Sequence, residues 1–177
     1  MDEMRYGLIS NYLRSWSKKG IRTIVPNQLE YESSYLYSAI SPIDGESFHL
    51  ISMDTVNGNR VKIFLEELQK EYKDNHIVLV WDRAPFHKNG IFQEIENLTS
   101  IFLPSYSPEL NPIERWFGEL RQATANQIFK TMESIEKIIE IDIVKREKNL
   151  EAIKQLCGYE WIKTQFKKII KLKTILN

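Results

Sequence analysis

A mixed α/β layer fold, with helices packed on a sheet, is predicted by three features of the sequence. Two runs of aromatic and β-branched residues, Ser33–Ile40 and Ser47–Met53, flank Ser41-Pro-Ile-Asp-Gly45, the pattern of an antiparallel hairpin. A helical apolar stripe then leads into a buried strand that ends on an acid. Helical periodicity resumes at Pro112 and dominates the remainder.

Each element follows from local pattern. Residues 8–30 read as loop and short strand, broken at Gly20 and Pro26. From Asn57 to Lys73, Val61, Phe64, Leu65, Leu68 and Tyr72 share one helical stripe. His76–Trp81 is a continuous apolar run of strand length, with Asp82 at its end. A short helix is expected over residues 89–97, and Ser100–Leu103 as a further short strand. The segment Leu103-Pro-Ser-Tyr-Ser-Pro-Glu-Leu-Asn-Pro-Ile-Glu-Arg-Trp-Phe117 is a turn-rich loop stiffened by Pro104 and Pro108. Asn111 has the chemistry of an N-cap, and Pro112 suits the first helical position, where its missing N–H costs nothing. The residue before a proline is also pushed out of the α region, as an N-cap must be. Glu114 then falls at the third helical position. Trp116, Phe117 and Leu120 mark the core side of this helix, with Glu119 and Arg121 opposite. A long amphipathic segment runs from about Met132 to Leu156. The tail from Glu160 to Asn177 carries Lys163, Lys167, Lys168, Lys171 and Lys173 interleaved with apolar residues, the pattern of a terminal amphipathic helix with a lysine face.

At 177 residues the chain has the length of one domain with a proper core. Its formal net charge is zero and its pI about 6.8, so overall charge does not mark it as a nucleic-acid binder. The single cysteine, Cys157, can form no internal disulfide, which fits a reducing cytosol. No apolar run approaches membrane-spanning length, and the polar start Met1-Asp-Glu-Met-Arg5 is unlike a signal peptide. A cytoplasmic protein without membrane contact, associated with the nucleoid when acting, is the expectation.

Three acids stand on separate elements: Asp2 near the start, Asp82 at a strand end, and Glu114 in the first turn of a helix. Each has a plain alternative. Glu114 suits the helix dipole, Asp82 suits a turn cap, and Asp2 suits a solvated terminal charge. Together they suggest a metal site, since clustered carboxylates repel unless cations lie among them.

The segments Asp2-Glu-Met-Arg-Tyr-Gly7, Trp16-Ser-Lys-Lys-Gly20, Val80-Trp-Asp-Arg-Ala-Pro-Phe-His-Lys88 and the loop ending Ser107-Pro-Glu-Leu-Asn-Pro-Ile-Glu114 carry a family likeness. In this order, the chain resembles the catalytic domain of DDE transposases in the bacterial insertion-sequence branch of the mariner-like superfamily, over roughly residues 2 to 125. The resemblance implies a ribonuclease H-like mixed sheet flanked by helices. It implies Asp2, Asp82 and Glu114 as catalytic triad and metal ligands; 31 residues separate the last two, near the family's spacing. Two divalent ions, Mg2+ with Mn2+ as the alternative, would serve an in-line displacement. The implied reaction is phosphodiester cleavage at transposon ends, followed by strand transfer into target DNA.

Further expectations concern the neighbours. His87 is expected to line the site, with a surface histidine as the alternative. Arg83, Lys88, Asn111 and Arg115 are candidates for lining the site or touching DNA. Glu3 follows Asp2 on a strand and should face the other way, away from the same metals. Residues 1–130 are read as the catalytic domain and residues 131–177 as its helical extension. Only Met1 precedes Asp2, so the first strand is expected to be largely missing, and unpaired neighbouring backbone is costly to bury. The expected partners are DNA and an upstream helix-turn-helix half of a split transposase, with a homodimer as a further option. The alternative function is an inactive remnant serving at most as an interaction module.

Overall fold

Asp44-Gly45 turns the chain as its sequence predicts, because Gly45 sits at φ +83° and a Cβ there would lie 2.4 Å from the Leu150 carbonyl oxygen. The computed structural model describes residues 1–87, 90 and 95–176, with side chains through Lys168. In chain order the elements are β1 (Asp2–Gly7), β2 (Ser33–Ile40), β3 (Ser47–Met53), α1 (Gly58–Glu71), β4 (Ile77–Trp81), β5 (Leu98–Phe102), α2 (Ile113–Thr124), α3 (Met132–Glu147), α4 (Leu150–Cys157) and α5 (Glu160–Leu176). Short 3-10 turns stand at Pro85–His87 and Pro108–Leu110. β2 and β3 cover the residues expected of the hairpin.

β1 adds antiparallel to the free side of β2, with Asp2 opposite Ser38 and Gly7 opposite Ser33. β4 and β5 pair in parallel as a separate two-stranded sheet, with Ile77 opposite Leu98 and Trp81 opposite Phe102. The Met1 amine nitrogen donates to the Val80 carbonyl at 2.9 Å, bringing the start of β1 beside the end of β4. The first strand, expected to be largely missing, forms as the six-residue β1, paired with β2 along its length, and the division of the sheet falls between β1 and β4.

Strand alternation sends side chains to two faces, and each face has its own core. Met4, Tyr6 and Leu36 pack on Trp116, Phe117 and Leu120 of α2 and on Ile135, Ile139, Ile153 and Cys157 of the following helices. On the other face, Met1 and Tyr37 join Leu79 and Trp81 against Val61, Phe64, Leu65 and Leu68 of α1. α1 thus spans both sheets. Its start is capped by Asn57, whose side-chain oxygen accepts from the Arg60 N–H at 3.0 Å.

Several expectations need correction. The segment from Met132 to Leu156 is two helices, because the chain breaks at Lys148 and Asn149 caps α4 through the Ala152 N–H. The expected short strand within residues 8–30 does not form. That arm runs out and back with isolated bonds such as Ser10 N–H to the Gln28 carbonyl at 3.1 Å. It is held instead by side-chain amides, Asn126 to the Leu13 carbonyl at 3.0 Å and Gln28 to the Phe129 carbonyl at 2.8 Å. Most of the helix expected over 89–97 lies outside the described residues; Glu96 and Asn97 form a turn, with Asn97 at φ 54°. Cys157 is fully buried, and burial pushes its thiol pKa up to about 11, so it behaves as a core side chain. Among the described residues, no helix is long and apolar enough to cross a membrane.

His49 of β3 is the titratable group in this core with the clearest consequence for stability. Its ring stacks on Trp116 with centroids 5.4 Å apart, and Nδ1 lies 2.8 Å from Ser38 Oγ. Nε2 makes no hydrogen bond; Glu147 Oε1 lies 3.8 Å away, beyond bonding distance. Burial lowers its pKa from 6.5 to about 4. A folded value below the unfolded one means the associated stability is fully present above pH 6.5 and is lost as the pH falls towards 4. Urea unfolding should therefore show wild type losing roughly 2 kcal/mol more than His49→Gln between pH 8 and pH 5. Parallel pH slopes for the two proteins would show that His49 does not fold as a buried neutral ring.

Candidate functional site

Three element ends meet at the seam between the sheets: the start of β1, the end of β4 and the start of α2. Asn111 helps to join them. Its side-chain amide donates to Asp2 Oδ2 at 3.1 Å and to the Met1 carbonyl at 3.3 Å, and the residue is 4% exposed. The expected N-cap role is thus displaced. Pro112 takes the cap position, Asn111 Oδ1 receives only a long 3.4 Å bond from the Ile113 N–H, and Glu114 becomes the second helical residue. A buried amide facing a carboxylate and a carbonyl is better satisfied across the interface than within its own turn.

Asp2 is half-buried, and its Oδ1 accepts from the Glu3 N–H at 2.8 Å. Burial raises its carboxyl pKa to about 6. The nearby charges of Glu3 and Glu114 push the same way, against the Glu3 N–H and the Met1 amine. Glu114 itself is half-exposed, with Arg121 Nη1 3.8 Å from its Oε2. Asp82, just beyond β4, has a largely exposed side chain. Its Oδ1 accepts from the Ala84 N–H at 3.0 Å, the turn-capping arrangement an aspartate favours there.

Strand alternation is expected to turn Glu3 away from this region, yet the structure links it there. His87 is 2% exposed, with Nδ1 2.7 Å from Asp82 Oδ1 and Nε2 3.2 Å from Glu3 Oε1. Its ring stacks on Trp81 at 4.4 Å between centroids, and Phe86 meets it edge-on. Asp2 and Glu3 do face opposite ways, as strand alternation requires. The face Glu3 takes is the one from which His87 reaches Asp82. Only the fold of Pro85–His87 back over Trp81 makes this link, so alternation could not reveal it.

Of the other candidates, Arg83 is exposed, and its Nε donates to the Leu103 carbonyl at 3.2 Å, tying together the loops after β4 and β5. The Arg115 guanidinium lies 4.2 Å over the Tyr159 ring, committing it to the helical side. Lys88 lies outside the described residues.

The donors at the seam are carboxylate oxygens, hard ligands of the type Mg2+ and Mn2+ prefer. Their chemistry fits such an ion, and the Asp2 pKa, raised first by burial and further by Glu3 and Glu114, is one that a nearby cation would lower. Among the described residues, no three acid, imidazole or thiol groups close into a ready-made cage. The residues are therefore neighbours rather than a finished coordination shell.

An antiparallel sheet and a parallel strand pair side by side, with helices on both faces, match the ribonuclease H-like class of fold. Solved complexes of the Mos1 mariner transposase share it. The paired-end complex with the left transposon end and the paired-end complex with Mn both superpose with a TM-score of 0.57 at 20% identity, covering 89% of this chain and 55% of theirs. The chain belongs to the family described as DDE superfamily endonuclease, whose model matches residues 1–136. An uncharacterized protein of Sinorhizobium fredii is 31% identical over 104 residues, 58% of this chain and 76% of the relative. The chain spans about half the length of the Mos1 chains it resembles.

The histidine bridge is open to a direct check. Burial by itself would lower the His87 pKa, but the Glu3 and Asp82 carboxylates outweigh it and hold the value above 6.5. In Glu3→Gln one of those charges disappears while the burial remains. NMR titration should show the His87 midpoint falling relative to wild type. An unchanged midpoint would show that Glu3 does not hold the ring.

Proposed function

We propose that this chain is the catalytic part of an insertion-sequence transposase that cuts phosphodiester bonds at transposon ends and transfers the freed strand to target DNA. The reading is supported by two bonds, Asn111 to Asp2 and Met1 to Val80, which set the start of β1 beside the end of β4 and the approach to α2. In this reading Asp2, Asp82 and Glu114 hold two divalent ions, Mg2+ or Mn2+. Bound there, such ions would supply Lewis acidity and an activated water for in-line displacement. Asn111 keeps Asp2 turned towards the seam, and His87 fixes Asp82 through its Oδ1. Trp81 and Phe86 pack around the histidine and keep water from competing for its bonds. Residues 1–130 form the catalytic unit, with residues 131–177 as its helical extension. DNA is the substrate, and an upstream helix-turn-helix half supplies recognition of transposon ends. The Mos1 complexes, a paired-end complex with the left transposon end and a paired-end complex with Mn, agree with this assignment.

A second reading, a chain that is weak or inert by itself, is favoured by the divided sheet and by the absence of a closed ligand set among the described residues. A ligand whose strand is held loosely cannot keep metal geometry tight.

Both readings meet in one experiment. Calorimetry and thermal shift with Mn2+ should show binding to wild type that Asp82→Asn and Glu114→Gln weaken, while both variants keep the fold. When the upstream half is supplied, Mg2+-dependent cutting of end-containing DNA should fall more than about a hundredfold in Asp82→Asn. Full activity in that variant would remove Asp82 from the ligand set. Equal, sequence-specific cutting with and without the upstream half would overturn the second reading.

A further inference from the structure

β1 and α2 leave the acid corner side by side. At their starts the Asn111 amide binds Asp2, and at their far ends the Asn11 amide donates to the Arg121 carbonyl at 3.1 Å. A groove of about 320 Å3 lies between those far ends. Arg5 and Gly7 stand on its β1 wall and Arg121 on its α2 wall, with Asn11 and Gln127 beyond them. Among the described residues its charged lining is two arginines against one acid, Glu32.

The edge of β1 is open here. The Leu8 N–H bonds to the Glu32 carbonyl, so strand alternation turns the backbone groups of Arg5 and Gly7 away from β2. β4 stops at Trp81, one residue past the Val80 carbonyl that accepts from Met1, and does not reach them. Gly7 places no side chain over its own N–H.

Arg121 is loosely held by comparison. Its Nη1 lies 3.8 Å from Glu114 Oε2, beyond hydrogen-bonding distance, and the two side chains are 43% and 39% exposed. The Phe117 ring centroid is 5.9 Å from its guanidinium carbon. An open pair of this kind is weak and readily exchanged for a better anion. The backbone of Arg121 is pinned by Asn11, so the guanidinium moves from a fixed root. A phosphate suits its planar fork, which it can engage through two parallel bonds.

We propose that this groove seats a single DNA strand leading to the acids, and that Arg121 leaves Glu114 to grip a phosphate of that strand. Arg5, exposed on the opposite wall, adds a second cation. The volume admits one strand and not a double helix. Because the net charge of the chain is zero, binding here comes from placed cations rather than from a general attraction. In the proposed function Glu114 is a metal ligand, and its engagement there frees Arg121 for the substrate. The inference rests on that reading for DNA as the ligand. Its test uses neither metal nor cutting, so its failure is separable from failure of the catalytic reading.

The full chain, in EDTA, should be titrated by fluorescence anisotropy with a labelled oligothymidine strand of about ten nucleotides. Binding should be saturable and should weaken as salt rises. Arg121→Gln should lower the affinity about fivefold and reduce the salt slope by about 0.7, the value of one phosphate contact on a single strand. Arg121→Lys should keep the slope and recover only part of the affinity. Glu114→Gln should tighten binding about threefold, and this gain should vanish when Arg121→Gln is also present. Lys145→Gln, which removes one exposed charge from α3, should change affinity less than about twofold. An unchanged slope in Arg121→Gln would overturn the proposal, as would an equal gain from Glu114→Gln in both backgrounds. Absence of saturable binding, or tighter Arg121-dependent binding of a duplex of the same length, would overturn it too. If Arg121→Gln fails to fold, the Arg121 Nε–H resonance of wild type decides: it should shift when the strand is added, and an unmoved signal would rule Arg121 out.

Discussion

One backbone hydrogen bond, from the Met1 nitrogen to the Val80 carbonyl, sets the relation between two halves of this molecule. Among the described residues, the β1–β2–β3 sheet and the β4–β5 sheet are otherwise held together by side chains, chiefly those packed on α1. A backbone bond of this kind adds little net stability by itself, of order 1 kcal/mol. Its importance is geometric. It places the start of β1 beside the end of β4, so the acid that follows Met1 and the acid that follows Trp81 are brought into one neighbourhood. Asn111 then adds the start of α2 to the same corner.

That corner concentrates negative charge at some electrostatic cost. Asp2 is half-buried near two other carboxylates, and its proton is held more tightly as a result. Asp82 is engaged by a histidine that is itself enclosed by aromatic rings and a second acid. Such an arrangement is expensive as mere scaffolding. It is economical where a cation balances the charge and where acids must be aimed rather than left to rotate. Family membership and local physics therefore point towards the same chemistry, although they rest on different observations.

The same seam has two unlike ends. Towards the acids it is polar and tightly bonded; away from them it opens into an apolar groove bounded by strand edges.

Much of this was legible in the sequence. The hairpin residues, the apolar stripe of α1, the β4 run and the proline-rich loop before α2 are local patterns, fixed by side-chain periodicity and turn chemistry. Asp82 and Glu114 could be placed at element ends for the same reason. Tertiary structure alone decided the rest. It drew Asn111 from capping its own helix into bonding with β1, because a buried amide takes its partners wherever packing puts them. It divided the expected helix at Lys148. It linked Glu3 to Asp82 through His87, although alternation turned Glu3 away from Asp2. Periodicity fixes which face of its own strand a side chain occupies, whereas what that face meets is settled only when distant segments pack against it.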